Sequence, residues 1–120
     1  MGFSPDFRAM VEEKLSAVLP IRTHAMFGGV GIYAEDLFFA LIAEDKLYLK
    51  VSDLNRADFE AAGMGPFYPY DSPTPMHYWE LPPGILDQPD ELAVWVDKAL
   101  AVAASQRTKR GGAGKKTRER

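Results

Sequence analysis

Two histidines and a glycine-dense run are the residues of this chain that most invite a chemical reading. The run Met26-Phe27-Gly28-Gly29-Val30-Gly31 holds three glycines within four positions. A phosphate-cradling P-loop needs a Gly-Lys-Ser/Thr ending, and no Lys, Ser or Thr follows these glycines. A dinucleotide fingerprint needs G-x-G-x-x-G between a strand and a helix, a spacing that Gly28, Gly29 and Gly31 do not keep. The glycines therefore read as backbone punctuation in a sheet, a bulge or bend where a side chain does not fit. His24 and His77 are the only histidines, and there is no cysteine, so a metal centre needs both plus a carboxylate such as Glu80. That set has fewer than the usual four ligands of a structural zinc site, and no metal is expected. Ser72, His77 and Asp71 can be drawn as a triad, yet no nucleophile elbow surrounds them. No catalytic residue and no cofactor is expected.

One further set has a chemical reading. Tyr33, Tyr48, Lys50, Tyr78 and Trp79 lie in strand-like segments and can form an aromatic, basic surface of the kind that stacks nucleobases. Against this stands the charge. Residues 107–120 carry seven Lys/Arg and one acid, a net of +6, while the other 106 residues carry seven bases and sixteen acids, a net of −9. An acidic body repels phosphate. The basic segment (Arg107, Lys109, Arg110, Lys115, Lys116, Arg118 and Arg120) is the better candidate for phosphate contact. It reads as a flexible tail with a reach on the order of 20 Å, able to hold phosphates without reading bases.

The elements that must position these residues follow from the apolar pattern. The chain has 120 residues, is 47% hydrophobic and 12% aromatic, and so is expected to form one globular domain over residues 1–106. The absence of cysteine and of any apolar run of membrane-spanning length leads to the expectation of a cytoplasmic protein that crosses no membrane. Ser4-Pro5-Asp6 opens a helix that runs to Leu19, before Pro20. Three strands are expected between Arg22 and Val51: Met26–Ala34, Leu37–Ala43 and Lys46–Val51, separated by two Ala-Glu-Asp turns. The second, Leu-Phe-Phe-Ala-Leu-Ile-Ala, is apolar on both faces and is read as a central strand. A helix capped by Asp53 spans Leu54–Ala62 and closes at Gly63. An edge strand near Phe67–Tyr70 and a strand over Met76–Leu81 come next. A last helix then starts at Pro89 and buries Leu92, Trp95, Val96, Ala99, Val102 and Ala103. The fold class is α+β: an α-β3-α-β2-α sandwich, an antiparallel sheet with helices.

Taken together, Arg22 with Met26-Phe27-Gly28-Gly29-Val30-Gly31-Ile32-Tyr33, then Phe-Phe-Ala-Leu-Ile, Asp-Lys-Leu-Tyr-Leu-Lys-Val, Met-His-Tyr-Trp-Glu-Leu-Pro-Pro and Pro-Asp-Glu-Leu resemble the N-terminal domain of the TfoX/Sxy competence regulators. The resemblance covers about residues 4–105. It implies a fold similar to secretion chaperones and a regulatory link to competence, with relatives acting beside the cyclic-AMP receptor protein at promoters. It carries over no catalytic residue. What transfers is a fold signature: Arg22, Met26, Phe27, Gly28, Gly29, Gly31, Tyr33, Tyr48, Lys50, Tyr78, Trp79 and Pro82. The longer regulators carry a second, helical domain that is not seen here. Three functions are open at this point. The first is a non-enzymatic module acting through a protein partner, with a homodimer suggested by analogy with the chaperones and nonspecific nucleic-acid affinity in the tail. The second is a direct DNA or RNA binder, and the third a small-molecule-binding protein or enzyme with a pocket near Arg22, His24, Tyr33 or Glu80.

Overall fold

A computed structural model of the chain describes residues 4–26, 28–68 and 74–114. The order is helix α1 (Pro5–Ser16), strands β1 (Arg22–Met26), β2 (Gly29–Ala34), β3 (Leu37–Ala43) and β4 (Lys46–Lys50), helix α2 (Arg56–Ala61), strand β5 (Tyr78–Glu80), a 3-10 turn at Ile85–Asp87, and helix α3 (Pro89–Gly114). All five strands form one antiparallel sheet in the order β1-β2-β3-β4-β5. The class is α+β, as the pattern implies. The grouping differs: four strands precede α2 and one follows it.

The difference originates at the glycines. Where the pattern suggests one bent strand over Met26–Ala34, the chain makes two, with Met26 paired to Gly29 across a tight reversal. Gly28 lies at φ +77°, a conformation that costs a side-chain-bearing residue about 1–2 kcal/mol. The other hairpins use charged residues. Glu44 and Asp45 both take positive φ between the paired Ala43 and Lys46, the requirement of a type I′ turn. A true bulge occurs in β3 instead. Ile32 pairs with Ala40 and Tyr33 with Phe38, which leaves Phe39 unpaired. Phe39 and Ala40 therefore both enter the main core, and β3 is covered on both faces.

The main core lies between the sheet and the helices. Val11 and Leu15 of α1, Ile32, Ile42 and Leu49 of the sheet, Phe59 of α2, and Leu92, Val96 and Ala99 of α3 are all buried there. α1 is capped as its sequence suggests: the Ser4 hydroxyl accepts from the Phe7 N–H at 3.1 Å, and Pro5 occupies the first turn. The helix ends at Ser16, and irregular turns bridge to Pro20. α2 starts later than the Asp53 reading suggests. Its cap position is Asn55, which is 2% exposed and whose side chain accepts from Ser52 N–H and donates to the Lys50 carbonyl. Gly63 takes the left-handed conformation expected of it. The 64–76 connection supplies Phe67 and Met76, which cover the second face of the sheet over Leu41, Tyr48 and Tyr78. Of the strand expected near Phe67–Tyr70, Pro66 makes one isolated bridge to Trp79, and Tyr70 lies outside the described residues. The backbone of α3 is helical through Gly114, past the Arg107 boundary where regular structure is expected to end.

Candidate functional site

The sheet face turned away from the helices gathers much of the signature. Reading across the strands, Arg22 of β1 faces Tyr33 of β2, Tyr33 faces Phe38 of β3, and Lys50 of β4 faces Tyr78 of β5. Their side chains form one rib. The Arg22 guanidinium carbon lies 5.4 Å from the Tyr33 ring centre, and Arg22 also donates to the Glu35 carbonyl at 2.6 Å. Tyr33 and Phe38 stack at 5.0 Å, and Phe38 and Tyr78 pack tilted at 5.4 Å. The Lys50 ammonium sits 5.2 Å from the Tyr78 ring centre and 6.0 Å from that of Phe38. It also donates to the Tyr78 hydroxyl at 3.3 Å. Cations at both ends thus face the electron-rich faces of the outer rings.

Gly31 is the floor that makes this packing possible. A Cβ at that position would meet the Met26 methyl and sit within 3.3–3.4 Å of ring carbons of Phe38 and Tyr33. Gly29 has a different role, since a Cβ there would land on the Ile42 carbonyl oxygen. The two glycines allow a close side-chain approach and a close backbone approach, neither of which involves phosphate.

The other signature residues separate. Tyr48 is buried on the same face against Phe67 at 4.8 Å. Burial pushes its hydroxyl pKa up, and the carboxylates of Glu80 and Glu44 add to the shift. Trp79 points the other way, into the main core, edge-on to Phe59 at 6.2 Å. Pro82 lines a small cavity of about 150 Å³ with Phe7, Leu47 and Leu86. Phe27 lies outside the described residues. Arg107, Lys109 and Arg110 fall on the helical backbone of α3, with side chains outside the description, and Lys115, Lys116, Arg118 and Arg120 lie outside it altogether.

The candidate metal set does not converge. His24 is on β1, whereas His77 precedes β5 at the opposite edge, a separation of about 19 Å at ordinary strand spacing. Among the described residues no group of three or more His, Asp or Glu stands close enough to hold a metal. Asp71 and Ser72 of the drawn triad lie outside the described residues.

Two features were not readable from the pattern. Phe38 is the middle of the rib, hidden in a uniformly apolar run; only its register opposite Tyr33 reveals the role. The second is a polar clasp between α1 and β1. The Thr23 hydroxyl donates to Glu12 Oε2 at 2.7 Å and accepts from Arg8 at 3.0 Å, while Arg8 also donates to Glu12 at 3.0 Å. The Thr23 hydrogen bond is the main cause that holds the Glu12 carboxyl below its ordinary value; burial partly opposes it, and Arg8 reinforces it. A depressed folded-state pKa stabilises the fold above the unfolded value, and that stabilisation is lost as pH falls through the folded value. Acidification below about pH 4.5 is therefore expected to weaken the native chain more than a Glu12→Gln variant, read as urea midpoints at neutral and acid pH.

The architecture is that of a small α+β domain, a five-strand antiparallel meander backed by three helices. The TfoX N-terminal domain family model matches residues 13–103, and the chain belongs to that family. It is a family of regulatory rather than catalytic domains. No curated protein matches the chain. No helix among the described residues is long and apolar enough to cross a membrane.

Proposed function

We propose that this TfoX-like regulatory module is a non-enzymatic cytoplasmic protein that works by associating with another protein, and that its basic C-terminal segment adds nonspecific nucleic-acid affinity. The observation that carries the reading is the unequal treatment of the two sheet edges. The β5 edge is covered: Phe67 N–H donates to the Tyr78 carbonyl at 2.8 Å and Glu80 N–H to the Gly65 carbonyl at 3.2 Å. The β1 edge has β2 on one side and, among the described residues, no backbone partner on the other. An open edge is a template for another strand.

Direct nucleic-acid reading by the sheet is the weaker alternative. Base stacking needs exposed ring faces. In the rib, Tyr33 has Arg22 over its ring and Phe38 stacked against it, and Phe38 packs between Tyr33 and Tyr78. The small-molecule reading is weaker still. The cavity at Pro82 holds about 150 Å³, well below the ordinary size of a ligand pocket; of the four residues named for such a site Glu80 lines it, whereas Arg22, His24 and Tyr33 do not.

The division of labour is tested by titrating labelled duplex DNA and RNA with the full chain. A variant with its seven tail Lys/Arg changed to Gln serves as the comparison. The native chain is expected to bind both ligands weakly. Its affinity should fall by roughly a thousandfold between about 50 and 200 mM salt if most of the tail cations contact phosphate. The variant is expected not to bind. Retained binding by the variant at physiological salt would overturn the reading.

A further inference from the structure

The association reading leaves the partner unnamed, and the following inference rests on it. β1 is five residues of regular pairing with no proline, lysine or bulge, and the one permanent charge on this edge, Arg22 at its first residue, is drawn over the Tyr33 ring and onto the Glu35 carbonyl. It is also held firmly, because the Glu12–Thr23–Arg8 clasp ties its second residue to α1. Arg22, His24 and Ala25 are all exposed.

The charges around this edge select the kind of strand that fits. Arg22 and His24 lie on the rib side and Arg8 and Glu12 on the helix side, while Glu35 and Asp36 form the turn beyond Arg22. Arg8 and Glu12 are paired with each other, so an acidic strand would meet Glu35 and Asp36 and a basic one would meet Arg22. A strand with a neutral residue opposite Arg22 and a small one opposite Thr23 avoids both. β1 reversed is such a strand.

We propose that β1 pairs antiparallel with β1 of a second copy of this chain, about a two-fold axis through His24, to form a continuous ten-stranded sheet. In this register Arg22 lies opposite Met26 of the second copy, Thr23 opposite Ala25, and His24 opposite its own counterpart. No like-charged permanent ions face each other directly. The interface is isologous, so it closes at two copies and leaves both β5 edges covered.

The chain has no cysteine, so a single introduced thiol reports the register without interference. Residues directly opposite in an antiparallel pair have Cα atoms about 4.5–5.5 Å apart, within the span of a disulfide. Under mild oxidation, full-length His24→Cys is expected to become a covalent dimer at least roughly tenfold faster than Leu54→Cys, at a position 66% exposed and away from β1. Sedimentation of the unmodified chain is expected to show a dimer whose population rises with concentration. A chain that stays monomeric overturns the pairing. So does a dimer in which His24→Cys cross-links no faster than Leu54→Cys. Neither result bears on the phosphate contact assigned to the C-terminal segment, which the nucleic-acid titration with the tail variant tests separately.

Discussion

Replacing Gly29 by alanine is expected to destabilise the domain by about 3 kcal/mol, the upper end of what overpacking costs. The added methyl would fall on the Ile42 carbonyl oxygen, which is backbone and has no rotamer to yield. Relief requires β2 and β3 to separate where Val30 pairs with Ile42, in the middle of the sheet. For a domain of this size the loss lowers Tm by roughly 15 °C, measurable by thermal melting or by the urea midpoint at unchanged slope. Gly28 provides the control. A Cβ there meets nothing within 4 Å, so Gly28→Ala is expected to cost only the strain of positive φ, about 1–2 kcal/mol. Equal losses at the two positions would show that the close approach of β2 to Ile42 does not govern stability.

Asn55→Ala is the second large effect, also expected near 3 kcal/mol. Asn55 is the buried polar side chain at the β4–α2 junction, and both ends of its amide are used. Truncation leaves the Ser52 N–H without its acceptor at 2.9 Å and the Lys50 carbonyl without its donor at 3.0 Å. Each orphaned group costs about 1–3 kcal/mol when buried. The change also loosens the backbone that carries Lys50 into the rib, so near-ultraviolet circular dichroism from Tyr33 and Tyr78 is expected to fall with it. Asn55→Asp separates the two bonds. It keeps an acceptor for Ser52 but sets a carboxylate against the Lys50 carbonyl. A loss close to that of Asn55→Ala would assign the larger share to the Lys50 contact. A loss below about 0.5 kcal/mol in Asn55→Ala, the scale of an ordinary surface change, would contradict a structural role for this amide.

The sequence made three of the helix ends and the class of fold legible, for local reasons. Ser4-Pro5, Gly63 and Pro89 act through their own backbone preferences, and the structure has α1, the end of α2 and the start of α3 where these residues put them. The apolar stripe of α3 was legible because its period belongs to the helix alone, and Leu92, Val96, Ala99, Val102 and Ala103 are buried on it. The strand grouping was not. A bulge and a two-residue reversal both call for glycine, and only pairing partners distinguish them; here Met26 pairs with Gly29. Missing that reversal also hid β1, and with it the open edge.

The rib was half legible. Alternation along β4 puts Tyr48 and Lys50 on one face, but the neighbour of Lys50 depends on the Phe39 bulge and on the register of β5. Trp79, grouped with the tyrosines by type, faces the core because it is one residue away from Tyr78 in a strand. The clasp that ties α1 to β1 joins residues 11 and 15 apart in sequence, a distance at which no local pattern operates.

The most direct test of the central claim, that the folded body associates with protein while the C-terminal segment contacts phosphate, is residue-resolved. It is an amide chemical-shift titration of the full chain with duplex DNA at physiological salt. Perturbations confined to residues beyond Gln106 are expected, with Arg22, Tyr33, Lys50 and Tyr78 unmoved. Shifts centred on those four residues would contradict the claim and make the rib a nucleic-acid surface.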